Sequence, residues 1–348
     1  MSRLAFSKPS KLKRVGSILP ALFIAAIYML LPTFGLRGFW LDVLTRVNIF
    51  LLITLSLDLY SGTTFYLNLG VPFTVGCAAY SLALLNRYLG VPVEYAILPS
   101  AAISLVLSLV IFLPSLRVRG AYFSIMSLLL PIVMAGIVTS RPFSLYLGGE
   151  GGITYSPLFF SYARGLPVKE RAFFLQSTYF YISSIAAIIA FIVSYKVAYS
   201  DFGFMMRSIG QDELLAEASG VNTVRVKLVG FLISSSLASF AGSIYAAMRP
   251  PVTVDVFIPA NTLVPPLTAV ILGGMGTIVG PTIANYFILL VYEALWDVIG
   301  RWRVVLYMCL LIVLVLLRPQ GIVYYLYTKL KRLVSSKIAE LTAGVWLW

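Results

Sequence analysis

The feature that most constrains this chain is a succession of apolar segments running from one end to the other. A helix needs about 20 apolar residues to cross roughly 30 Å of hydrocarbon. Segments of about that length fall at 17–36, 43–60, 65–86, 94–114, 120–140, 173–197, 228–248, 263–275, 280–299 and 303–322. The eighth opens Leu263-Val264-Pro265-Pro266 and is short, so it reads as a partial crossing or a broken helix. Hydrophobic residues make up 60% of the chain and charged ones 11%, against roughly 25% charged in soluble domains. A water-soluble fold of this size could not hide so much apolar surface. The expected fold class is all-α: a polytopic transmembrane helical bundle of about ten spans, one of them short or broken, without a sizeable soluble appendage.

The charges orient this bundle. A net charge of +13 comes from 26 Lys+Arg against 13 Asp+Glu. The basic residues sit between apolar spans and at the two ends, with no basic stripe, so anionic lipid and the positive-inside rule account for them and nucleic-acid binding is not expected. Residues 1–16 form a basic N-terminal tail carrying Arg3, Lys8, Lys11, Lys13 and Arg14. The apolar run after it is too long for a signal-peptide core and no small-residue cleavage site follows, so the tail is expected in the cytoplasm. Counting crossings returns Arg117 and Arg119, the loop 198–227, and the tail 323–348 with Lys329, Lys331, Arg332 and Lys337 to that same side. Residues 17–322 are then the transmembrane domain, with 141–172 as a long external loop bearing Arg164, Lys169 and Arg171 as a modest exception. Cys77 and Cys309 lie inside apolar runs and read as small core residues, and His is absent, which excludes imidazole chemistry.

Three stretches stand out. In the loop 198–227, Asp212 to Gly220 reads as a short helix, with Asp212 and Glu213 favouring its start and Gly220 its stop. Such a helix suits docking on a soluble partner that supplies energy, or serves as an ordinary amphipathic connector. In the following span, Ser234, Ala238 and Gly242 recur at spacing four and make a face on which helix backbones approach closely. The block Gly273-Gly274-Met275-Gly276-Thr277-Ile278-Val279-Gly280-Pro281 permits positive φ and close approach, with Pro281 suited to a helix start. Broken helices of this kind often line transport sites. The block lacks the Lys-Ser/Thr of a phosphate-binding loop, and no such motif occurs elsewhere, so any ATP hydrolysis belongs to another chain. Among intramembrane polar residues, Asp42 and Arg46 are spaced for a local ion pair, Asp58 is a carboxylate near a predicted span end, Glu293 one within about a turn of Asp297, and Asn68 and Asn285 can hydrogen-bond between helices or to a solute.

These residues resemble the permease subunits of ATP-binding-cassette importers for branched-chain amino acids, of the LivM type. The strongest match runs through Gly203, Arg207, Asp212-Glu213, Glu217-Ala218, Gly220, Lys227, Phe231, Ser234, Ala238 and Ala241-Gly242. Glu217-Ala218-Ser219-Gly220 stands where such permeases carry a Glu-Ala-Ala-type signature, here contracted. Arg117-Val118-Arg119-Gly120-Ala121-Tyr122-Phe123, the glycine block, Trp302-Arg303 and Arg318-Pro319-Gln320-Gly321 match further segments, so the resemblance covers about Asn48 to Gly321. It implies that Arg207, Asp212, Glu213, Glu217, Ala218 and Gly220 belong to an ATPase-coupling element. The helix-packing or pathway candidates are Asn68, Gly70, Gly242, Gly273, Gly274, Gly276, Gly280 and Pro281. It also implies a homologous permease partner, two cytoplasmic ATPase subunits that use the ATP, an extracytoplasmic solute-binding protein, a prokaryotic cytoplasmic membrane, and no cofactor on this chain itself. Departures at Phe65-Tyr66-Leu67-Asn68-Leu69-Gly70, at Pro131-Ile132, where the family carries an acidic residue, and before the glycines that follow Leu147 bear on the solute more than on coupling.

The rival from another class is an ion-coupled secondary carrier of a small polar solute, which would use Asp58 and Glu293 as coupling sites. A membrane enzyme would need a His, Cys or carboxylate constellation near an interface, and the sequence offers none.

Overall fold

The computed structural model describes residues 38–115 and 120–294, together with positions 29, 32 and 309. The predicted first and last spans, both tails, the segment Arg117 to Arg119, and the pairs Trp302-Arg303 and Arg318-Pro319 lie outside these. Among the described residues the structure is a helical bundle whose only bridged pair is the isolated antiparallel Ile153–Val252.

The long helices are α1 (Phe39–Leu57), α2 (Val71–Leu89), α3 (Val93–Ser115), α4 (Ala121–Thr139), α5 (Val168–Ala198) and α8 (Thr223–Met248). Between the last two lie α6 (Asp201–Gln211) and α7 (Glu213–Ala218), and the described chain closes with α9 (Val264–Gly273) and α10 (Val279–Ala294). Among the described residues, five helical segments are long and apolar enough to cross a membrane: Phe39–Gly62, Val93–Val110, Tyr122–Thr139, Val168–Ala198 and Thr223–Met248. The protein is a multi-pass membrane protein.

Helix α1 is apolar on every side and buried along almost its whole length, as expected of the central element of a bundle. It packs on α5, α8, α9 and α10, while α8 packs in turn on α2 and α3. Lipid takes the outer faces. Leu98, Val106 and Val110 on α3, Ile125 and Val133 on α4, and Ile185 and Ile189 on α5 are exposed, which hydrocarbon accommodates and water would not.

Small residues bring the central helices together. Ser56 and Ser234 exchange hydrogen bonds between α1 and α8, with each hydroxyl donating to the other's backbone carbonyl at 2.8 and 2.7 Å. Ser100 meets Ser243 at 2.8 Å and Ser104 meets Ser239 at 3.2 Å across α3 and α8. The face of Ser234, Ala238 and Gly242 is buried, and Gly242 lies flush against the backbone of Val75 on α2. A Cβ there would collide with a carbonyl that cannot swing aside. Gly242→Ala is therefore expected to cost about 1–3 kcal/mol and lower the Tm in detergent. Gly136→Ala, on an open face of α4, is expected to raise the Tm slightly by stiffening the unfolded chain.

One span differs from its predicted form. The third does not begin at residue 65. Phe65 takes a positive φ of 55°, residues 65–68 are non-helical, and α2 starts only at Val71, with Pro72 in its first turn. The eighth is broken, as its prolines foretell. Helix α9 has 10 residues, about 15 Å of rise, roughly half a bilayer. It is preceded by the 3₁₀ turn Val254–Phe257 and the short helix Pro259–Thr262. The Phe257 ring reaches the bundle interior, pressing on Gly76 and stacking on Tyr80 with centroids 5.3 Å apart.

Candidate functional site

At one end of the bundle the polar loop between α5 and α8 folds into a rigid knuckle. Each of its helices has its own stop or start. Ser200 caps α6 by accepting from the Gly203 N–H at 3.3 Å. Asp212 caps α7 through the Leu215 N–H at 3.0 Å, and Asn222 caps α8 through the Arg225 N–H at 2.9 Å. Gly220, at φ 85°, ends α7 with the Val221 N–H bonded back to the Ala216 carbonyl at 3.0 Å. That is the bond pattern of a helix closed by a left-handed residue. Caps at each corner leave the knuckle little backbone freedom. The helix expected over Asp212–Gly220 is thus present as α7. Helix α6 lies outside the helix expected in this loop, and Ser200 followed by Phe202, Met206 and Ile209 at helical spacing is its sequence signal.

The knuckle has an inner and an outer face. Ala216 is buried against Tyr60, Met206, Ile209 and Phe231. Asp212, Leu214, Leu215, Glu217, Ala218, Ser219 and Gly220 are exposed, Leu214 by 64% and Leu215 by 66%. Glu217 accepts from the Thr223 hydroxyl at 2.6 Å, tying the end of α7 to the start of α8. Of the six coupling candidates, Asp212, Glu217, Ala218 and Gly220 are on this outer surface, while Arg207 and Glu213 face into the bundle.

Glu213 pairs with the buried Lys227 at 2.5 Å and also accepts from the Tyr66 hydroxyl, with Lys227 Nζ 4.0 Å from the centre of the Tyr66 ring. An ion pair largely withdrawn from water strongly resists loss of either partner. Arg207, 8% exposed, donates to the Ala198 carbonyl at 2.5 Å and to the Gly276 carbonyl at 3.2 Å. Its guanidinium lies over the rings of Tyr199 and Phe204. Burial pulls the Arg207 pKa down, with Tyr199 and Asp58 opposing the shift.

Beneath Arg207 is the turn of the glycine block. Gly274 and Gly276 have φ of 97° and 76°, values that a side chain would strain. Gly276 meets Gly62 backbone to backbone where α1 widens into a π-turn, Asp58–Gly62. The fully buried Asp58 carboxylate accepts from the Gly276 N–H at 2.6 Å and the Ile278 N–H at 2.9 Å. Gly273 and Gly280 pack on one another inside the hairpin of α9 and α10. Pro281 is the third residue of α10, still within the turn whose N–H groups have no helical partner. Asn68 accepts from the Gly70 N–H at 3.1 Å, and Gly70 abuts the Ser127 backbone of α4, beside a small cavity lined by Thr74, Ser108 and Phe231.

The far end of the bundle carries a second polar cluster. Asp42 lies 3.8 Å from Arg46, as its spacing suggested, but its shorter contact is with Arg249 at 2.5 Å. Arg46 in turn meets Glu293 at 2.6 Å. Asn285 bridges Thr54 and the Val47 carbonyl. Asp58 and Glu293, the carboxylates an ion-coupled carrier would use, are therefore engaged with backbone amides and with Arg46. The contacts that sequence reading did not assemble are those of Tyr66, Tyr199 and Asp58, which are distant in the chain and share no local motif.

The family model for the branched-chain amino acid transport system permease component matches residues 39–315. The Escherichia coli high-affinity branched-chain amino acid transport system permease protein LivM is 24% identical over 320 residues, covering 86% of this chain and 74% of that protein. The probable branched-chain amino acid transport permease protein LivH of Methanocaldococcus jannaschii is 27% identical over 283 residues, 78% of each chain. The guanosine ABC transporter permease protein NupQ of Bacillus subtilis is 30% identical over 82 residues, 24% of this chain and 25% of that one. No solved structure matches.

Proposed function

The chain belongs to the family of permease components of branched-chain amino acid transport systems, and from that premise we propose that it forms half of the membrane pathway of an ATP-driven importer of branched-chain amino acids. The observation that carries this reading is the capped knuckle with Leu214, Leu215 and Ala218 turned away from the bundle. A rigid apolar tip flanked by Asp212 and Glu217 suits docking into a cleft on a soluble subunit, and stiffness lets a push travel inward.

The sidedness follows from charge. If the tail with Lys8, Lys11 and Lys13 lies in the cytoplasm, one crossing puts the start of α1 outside and its Asp58 end, with the knuckle, inside. Two cytoplasmic ATPase subunits would dock there. A homologous permease would complete the pathway, and an extracytoplasmic binding protein would deliver solute. ATP binding would favour one packing of the spans over another, giving alternating access, while this chain makes and breaks no covalent bond.

The test is what accompanies the chain from native membranes in mild detergent. We expect a second permease and an ATPase with a phosphate-binding loop, and ATP-dependent uptake of leucine, isoleucine or valine in vesicles holding the complex. Isolation of the chain alone, with gradient-driven uptake that ignores ATP, would instead support a secondary carrier. Uptake outcompeted by guanosine and indifferent to leucine would move the solute class to nucleosides.

A further inference from the structure

The contacts of the glycine turn go beyond packing. Its polar backbone atoms are gripped from two directions. From α1, Asp58 holds the Gly276 and Ile278 N–H groups. From α6, Arg207 donates to the Gly276 carbonyl, and from the corner between α5 and α6 the Tyr199 hydroxyl donates to the Thr277 carbonyl at 3.3 Å. The turn is also strained, because Ile278, a β-branched residue, is held at φ 59°. Such a conformation persists only where its surroundings impose it. The π-turn that places Asp58 beside the glycines is an irregularity common at functional sites. Two discrete elements thus meet on one strained segment, and one of them is the base of the knuckle.

We propose that Arg207, with Tyr199, is the transmission point of the transporter: movement of the knuckle drags the Gly274–Ile278 turn and so shifts the hairpin of α9 and α10 against α1. Arg207 is a positioning residue, acting on the turn through backbone carbonyls and touching neither solute nor nucleotide. A planar fork that holds Ala198 and Gly276 together transmits displacement in both directions, which a point charge on a flexible stem would not. The inference rests on the docking reading above, since without a push on the knuckle there is nothing to transmit.

The test uses the full complex with Cys77→Ser and Cys309→Ser, and one reporter cysteine at a time for a membrane-impermeant maleimide. The Met275→Cys reporter watches the turn and Ala218→Cys watches the docking face. Both are expected to change labelling rate with ATP by at least about fivefold, the lower end of ordinary coupling. In Arg207→Met the Met275→Cys response should vanish while Ala218→Cys still responds, and solute moved per ATP should fall about tenfold. Arg207→Lys, which keeps the charge and loses the fork, should give an intermediate response and carries the test if the Met variant fails to assemble. An unchanged Met275→Cys response in both variants would overturn the proposal, as would a parent complex in which Ala218→Cys responds and Met275→Cys does not. A parent in which Ala218→Cys ignores ATP removes the docking reading and the proposal with it.

Discussion

Leu215→Glu combined with Ala218→Arg is expected to abolish ATP-driven uptake while the chain still inserts and folds. Both side chains lie on the exposed face of α7 and contribute nothing to the buried cluster around Ala216. Neither change touches Asp212, whose side chain caps the helix, or Gly220, which closes it. A charge placed in the apolar centre of an interface costs about 2 kcal/mol or more, roughly thirtyfold in affinity for each position. The double variant should therefore lose its ATPase subunits on purification and retain a normal Tm in detergent. Basic residues at Glu217 and Gly220 should uncouple transport as well. They mix two effects, because Gly220 sits at φ 85° and any replacement there also strains the end of α7.

The second large effect belongs to Asp58. Asp58→Ala would leave the Gly276 and Ile278 N–H groups buried without their acceptor and open a gap beside Gly62. Each buried N–H group left without an acceptor costs roughly 1–3 kcal/mol, and the strained φ of Ile278 would lose the contact that enforces it. The expected result is a chain that reaches the membrane poorly, unfolds well below the parent on heating in detergent, and becomes protease-sensitive near residue 276. Asp58→Asn keeps one acceptor and should lie between the two. Equal stability of all three would mean that the carboxylate does not hold the turn.

These two sites differ in how far the sequence discloses them. Helix α7 is legible because its determinants are local: Asp212 and Glu213 at its start and Gly220 as a stop. The broken eighth span was legible from Pro265-Pro266, and the close face of α8 from the spacing of Ser234, Ala238 and Gly242. The grip on the glycine turn was not legible. Asp58 lies 218 residues before Gly276, and nothing near Asp58 marks it as a partner of backbone amides. The same holds for Tyr66 and Lys227, which converge on Glu213 from the non-helical stretch before α2 and from α8, respectively. Phe65, Tyr66 and Leu67 are apolar enough to extend a span, so local pattern predicts helix where the chain is non-helical. The positive φ of Phe65, where the chain passes over Gly210 of α6, is a tertiary outcome. Arg207 reads as part of the coupling element because its position matches a family segment. Its burial depends on Ala198 and Gly276, which local pattern cannot bring together.

The measurement that bears most directly on the whole account is cross-linking from Leu214→Cys in sealed membranes of known orientation. An impermeant thiol reagent is expected to reach this cysteine only from the cytoplasmic face, and a short bifunctional cross-linker to join it to a soluble protein carrying a phosphate-binding loop. Labelling of Leu214→Cys from the outside of intact cells would contradict it.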